Sequence, residues 1–265
     1  MPSLPIIIDS ATGQNKSILG NRCAINFSPP LQIPRDVNPR LRVYSSSFAY
    51  NFPNVSDDMA NNTLVVDRLG TNNVLAHRHT ATFQTGLYGS LDDMTQVIKH
   101  SMHADTNFSD LEINLIGVAA TQKVHVEVIN GHTDAVKLAF SANSSIGSLL
   151  GFTSDKFFIA NATSQAQSDT TASLDRTTSV LIQTSLCNGS IVAGKSGQST
   201  VAMVHLAAYQ PASVVAYTPQ NMLEIPANNL SGMSVTNATF ALVNQNSEDL
   251  NTLNENWQLV FEIVW

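Results

Sequence analysis

The last nine residues, Trp257-Gln258-Leu259-Val260-Phe261-Glu262-Ile263-Val264-Trp265, decide the fold class. Trp257, Leu259, Phe261, Ile263 and Trp265 take every second position, with Gln258, Val260, Glu262 and Val264 between them. Side chains of a β-strand point alternately to its two faces, so one face of this segment is a stripe of the largest apolar side chains. That stripe has to be covered, which places the end of the chain inside a β-sandwich.

The same period recurs upstream. Val124, Val126 and Val128 alternate with His125 and Glu127; Leu111, Ile113 and Leu115 alternate before them; Val136, Leu138 and Phe140 follow the turn Asn130-Gly131. Residues 178–186, 200–208 and 235–243 read as strands, the first two separated by a Gly-rich turn from Asn188 to Gly197. The brief run 214–217 stops before Pro219. Nearer the N-terminus, residues 23–27 alternate until Pro29-Pro30 interrupts them, as suits an edge strand. Residues 41–44, 63–66 and 74–83 supply further strands.

One helix stands out. Ser90-Leu91-Asp92-Asp93 is a capping box with carboxylates at the positive end of the helix dipole. Leu91, Met94, Ile98 and Met102 follow on one face. A short turn at 145–150 is closed by Gly151, placed for a left-handed C-cap. These signals predict an all-β fold, a single jelly-roll β-sandwich with one or two short helices in connecting segments. Residues 1–22, broken by Pro2, Pro5, Gly13 and Gly20, read as an N-terminal arm ordered by a partner. Residues 23–265 read as one domain, and the polar, unpatterned stretch 161–175 as a surface loop.

Composition narrows the function. The 265 residues are 43% hydrophobic but only 12% charged, about half the usual share of roughly 25%. A charge-poor surface lowers the desolvation cost of large interfaces. The net charge of −7 argues against a body that grips polyphosphate. Residues 1–45 carry Lys16, Arg22, Arg35, Arg40 and Arg42 against Asp9 and Asp36, so the positive charge gathers near the N-terminus. Cys23 and Cys187 are too few for a disulfide framework and read as buried thiols. Met1-Pro2-Ser3-Leu4-Pro5 opens without a basic leader, so no secretory signal is expected. The Asn-x-Ser/Thr sequons between Asn15 and Asn237 then follow from composition.

The sequence brings together no catalytic constellation. His77 and His79 share a strand face, but the residues after them lack the carboxylate a cupin-type metal site adds, and His125 or His205 could join only through folding. His100 and His103 lie near a helix C-terminus, which explains them without a metal. Asp57-Asp58 and Asp92-Asp93 are adjacent and do not face one substrate. Gly194-Lys195-Ser196-Gly197 lacks the upstream glycine of a P-loop. No nucleophile elbow occurs. The expectation is a protein that is not an enzyme, with no catalytic, cofactor or metal site and no small-molecule substrate.

Several segments, in order, resemble the penton (minor capsid) proteins of virophages and Polinton-like viruses. They are Phe27-Ser28-Pro29-Pro30-Leu31-Gln32-Ile33-Pro34, Tyr50-Asn51-Phe52-Pro53-Asn54-Val55-Ser56, Gly86-Leu87-Tyr88-Gly89-Ser90-Leu91-Asp92-Asp93-Met94, Leu149-Leu150-Gly151-Phe152, Tyr217-Thr218-Pro219-Gln220-Asn221 and the closing strand from Trp257. The turn Ser247-Glu248-Asp249-Leu250-Asn251 and the terminal Trp265 depart from the family's usual pattern. The resemblance implies a structural virion protein, a penton subunit forming a homopentamer at the icosahedral vertices of a capsid. Its neighbours would be the double jelly-roll major capsid protein, with the N-terminal arm facing interior components. The competing expectation is a receptor- or carbohydrate-binding module of spike or lectin type on the same sandwich.

Overall fold

The computed structural model of the chain describes residues 2–174, 177–189 and 199–265. The chain divides into two compact units. One is built from both ends, Met1–Phe52 with Thr177–Trp265, and the other from the stretch between, Pro53–Arg176. The first unit opens with β1 (Ser3–Asp9), β2 (Arg22–Gln32) and β3 (Arg40–Ala49). The second holds β4 (Thr63–Leu69), β5 (Leu75–Thr82), α1 (Leu91–His103), β6 (Leu111–Val118), β7 (Lys123–Asn130), β8 (Ala135–Ala139), α2 (Gly147–Leu150), β9 (Lys156–Phe158) and β10 (Ala162–Gln167). The first then resumes with β11 (Ser179–Thr184), β12 (Ser199–His205), β13 (Val214–Tyr217), β14 (Ile225–Pro226), β15 (Ser234–Asn244) and β16 (Gln258–Val264).

The first unit is a jelly roll. Its sheets run β1-β16-β3-β13 and β12-β11-β15-β2, with the short β14 also on β3 and every pair antiparallel. The first strand pairs with the last and the second with the penultimate long strand, as when one long hairpin is rolled into two facing sheets. The closing stripe explains why. Trp257, Leu259, Phe261 and Ile263 are all buried, and Phe261 packs on Phe240 with ring centroids 5.3 Å apart. The indole N–H of Trp257 donates to the Gly20 carbonyl at 3.0 Å, so burying it leaves no donor unpaired.

The all-β jelly roll is therefore the fold observed, but its extent differs from the single domain expected over 23–265. A whole second unit is spliced into the chain between β3 and β11. It has sheets β5-β4-β8-β9 and β10-β7-β6 around a core of its own. α1 starts as expected, with the Ser90 hydroxyl accepting the Asp93 N–H at 3.1 Å. Met94, Ile98 and Met102 are buried. The Thr95 hydroxyl accepts the Leu115 N–H at 3.0 Å, so a helix side chain covers the edge of β6. At Gly151 φ is +81°, and a Cβ there would lie 2.4 Å from the Thr170 carbonyl oxygen, so the turn demands glycine.

Two segment assignments change. Residues 1–22 are not merely an arm, because Ser3–Asp9 is a strand on β16 with Ile6 and Ile8 buried. Pro2 O accepts from Trp265 N and Ser10 N donates to Trp257 O, so the even-numbered residues face β16. Pro5 thus turns outward, where its missing N–H costs nothing. Likewise 161–175 is not all loop. Ala162–Gln167 forms β10 on β7, and its inward positions, Ala162, Ser164 and Ala166, are too small to register as an apolar stripe. Asp175 and most of the Gly-rich turn before β12 lie outside the described residues.

Candidate assembly surface

The residues singled out for chemistry are scattered. His77 is exposed on β5, His125 points outward on β7, and the His205 ring meets the Ser179 hydroxyl at 3.0 Å. His100 and His103 stay in the last turn of α1. Asp57 accepts from the Asn62 amide, and Asp93 serves the helix cap. Cys23 and Cys187 are buried free thiols, each pushed up to about 11 by desolvation. Gly194-Lys195-Ser196-Gly197 lies outside the described residues. Among the described residues no group of three or more His, Cys, Asp or Glu is placed to hold a metal ion.

One cluster was not anticipated. His79, on β5, meets the Ser101 hydroxyl of α1 at 2.8 Å through Nε2 and the Asp105 carboxylate at 3.0 Å through Nδ1. The three residues come from a strand, a helix and the loop after it, so no sequence motif links them.

The jelly roll offers a different kind of site at its rims. An open sheet edge presents backbone N–H and C=O groups that pair indiscriminately unless something blocks them. β1 is blocked by the outward Pro5. β2 carries Pro29-Pro30 and is bridged by Gln14, whose N–H and C=O both bond Ala24 at 2.8 Å. On β13 the Tyr209 hydroxyl donates to the Ala216 carbonyl at 3.3 Å. Among the described residues, β12 is the exception. The Leu206 N–H to Thr178 O bond sets a register in which Met203 and His205 turn their backbone groups outward, and the strand has neither proline nor a Lys, Arg, Asp or Glu.

That flank is also poor in charge: across 177–223 the sequence holds a single Asp, Glu, Lys or Arg, Lys195, and the described residues 177–189 and 199–223, which form β11, β12, β13 and the loops after them, hold none. Met203, Val214 and Leu223 stand 38%, 67% and 58% exposed there. A cleft of about 140 Å³ opens between β12 and β13, lined by Val43, Val201, Met203, Tyr217 and Leu223. Apolar, charge-depleted surface around a concavity is what the buried centre of a protein–protein contact is made of.

No protein-family model and no curated protein matches the chain. A solved structure does. The mavirus penton protein superposes with a TM-score of 0.51 at 10% sequence identity, covering 99% of this chain and 99% of that one. At that identity the likeness is one of fold, and it extends through both units, the jelly roll and the stretch spliced into it.

Proposed function

We propose that the chain is a structural subunit of a viral shell, a penton that closes the icosahedral vertices as a ring of five. The observation that carries this reading is the end-to-end likeness to the mavirus penton protein, which takes in the whole chain including the spliced-in unit. The uncharged β12–β13 flank supports it on independent grounds. A cyclic ring is closed by heterologous contacts, each subunit offering one patch to a different patch on its neighbour. A flank so poor in charge can enter such a contact with few ions to desolvate. The remaining sides would meet the double jelly-roll major capsid protein around the vertex, and the chain would reside in the virion without processing a small-molecule substrate.

The test is the oligomeric state of the purified full chain, by native mass spectrometry and negative-stain images over a range of concentrations. Five-membered rings are expected. A chain that stays monomeric throughout and binds glycans instead would overturn the proposal in favour of a receptor-binding module.

A further inference from the structure

We propose that Ser101 is an activated hydroxyl, a covalent acceptor for small electrophilic acyl or phosphonyl groups. The carboxyl of Asp105 is held below the usual carboxylate range by the Asn107 N–H, 2.9 Å from Oδ1, and by His79. An ionised carboxylate only accepts hydrogen bonds, so the His79 Nδ1 facing it at 3.0 Å must carry the proton. In the neutral ring that leaves Nε2 as the acceptor, and the group 2.8 Å from it is the Ser101 hydroxyl. With the ring neutral, the neighbours set the direction of both bonds: Ser101 O–H to His79 Nε2, and His79 Nδ1–H to Asp105. This is the polarity that nucleophile, base and orienting carboxylate need.

The ring cannot readily turn away from this role. Its centroid lies 5.6 Å from that of Phe108, which is fully buried, and its side chain is 17% exposed. Ser101 is half-buried. In the reaction a lone pair of the Ser101 oxygen forms the new bond to carbon or phosphorus. The hydroxyl proton passes to His79 Nε2, and the leaving group departs with the bonding pair of the bond that breaks. Ser101 sits in the last turns of α1, where the helix dipole is negative and opposes a developing oxyanion. An acceptor without oxyanion stabilisation favours electrophiles with good leaving groups and modifies once, without turnover.

The same three residues also tie β5 to α1, and that clamp alone would change stability without changing reactivity. The experiment therefore reads reactivity. The full chain is treated with a fluorophosphonate, which loses fluoride on phosphonylating serine, and the modified residue is located by peptide mass spectrometry. One label per chain, on Ser101, is expected, absent in Ser101→Ala. Asp105→Asn preserves the shape but reverses the imidazole tautomer, and His79→Gln removes the base. Each is expected to slow labelling by on the order of a hundredfold or more, with circular dichroism confirming that the variants are folded. No label at Ser101 in the native chain, or labelling at an unchanged rate in folded Asp105→Asn and His79→Gln, would overturn the proposal.

Discussion

The two units fill the space between their sheets alike, with apolar side chains, but differ in how deeply they carry charge. The jelly roll is closed by an aromatic and aliphatic stripe, Trp257, Leu259, Phe261 and Ile263, and keeps its ion pairs Arg22–Asp249 and Arg42–Glu262 toward the surface. The spliced-in unit builds charge into its fabric. Arg68 is 1% exposed, lies 5.4 Å over the Phe108 ring and pairs with Asp110. Asp67, also buried, takes both arms of a fork from Arg78 at 2.7 and 3.0 Å. Lys156–Asp169, Lys137–Asp155 and His79–Asp105 add further clamps. Apolar filling contributes whatever the conditions. A buried charge contributes only while its partner is present and ionised, because an unpaired one is far costlier than an apolar residue of the same size.

The sharpest way to break the first half of that contrast is Trp257→Ala. Losing a fully buried indole should cost about 3–5 kcal/mol, read as a lower urea midpoint. Trp257→Phe should cost less but not nothing, since it strands the Gly20 carbonyl. If both are tolerated within about 0.5 kcal/mol, the stripe does not hold the sandwich together.

The second half is tested at Arg68. Asp110→Ala leaves the guanidinium buried without its carboxylate, with the Nε of Arg68 already lacking a hydrogen-bond partner. Because Asp110 is 44% exposed, water recovers part of the loss, and about 2 kcal/mol is expected in place of the roughly 3–5 of a fully buried pair. Arg68→Met, which removes the charge and keeps the volume, should be nearly neutral. Arg68→Met combined with Asp110→Ala should be no worse than Asp110→Ala alone. A larger loss for Arg68→Met than for Asp110→Ala would mean the guanidinium contributes by packing over Phe108.

Both cores were legible where a strand carries bulky residues at every second position, β16 in the jelly roll and β6 and β7 in the spliced-in unit, a signal that needs no tertiary knowledge. β1 and β10 escaped for opposite physical reasons. Pro5 looks like a breaker until one knows that it faces outward on an edge, and the inward Ala162, Ser164 and Ala166 are small where a stripe would be large. The splice between β3 and β11 left no trace because the strand rhythm continues through it unchanged. The Ser101–His79–Asp105 cluster was invisible for a further reason: residues 22 and 26 apart on different elements meet only through the fold. The scarcity of charge was visible in the composition, but that it gathers on one flank depends on which strands end the sheets.

A smaller effect sharpens the contrast through pH. The Asp169 carboxylate accepts from Lys156 Nζ at 2.6 Å, from the Thr153 N–H at 2.8 Å and from the Ser154 N–H at 3.2 Å. The Lys156 ammonium first, and then the Thr153 N–H, hold it far below the ordinary carboxylate range. A carboxyl whose pKa falls on folding stabilises the folded state at pH values above its unfolded pKa, and the contribution is lost as pH drops toward the folded value. Asp169→Asn should therefore be less stable than the native chain at pH 7. The gap should narrow steadily below about pH 4. A gap that stays constant down to pH 2 would show that the clamp acts by shape and not by charge.

The smallest effect on folding falls where charge is added to the unit that avoids it. Val214 and Leu223 are well exposed, so Val214→Glu and Leu223→Glu should each leave stability within about 0.5 kcal/mol of the native chain. If the uncharged β12–β13 flank is buried between subunits, the same substitutions force a carboxylate out of water at the contact. Self-association should then weaken by at least an order of magnitude, since each 1.4 kcal/mol of desolvation cost is a factor of about ten. The matched variant is Ile18→Glu, on the loop beside β2, where Lys16 and Arg22 already bring charge. It should leave assembly unchanged, as measured by sedimentation at equal concentration. Equal losses from both flanks would place both in the contact and detach the absence of charge from assembly. No loss from Val214→Glu or Leu223→Glu would put the subunit contact elsewhere on the chain.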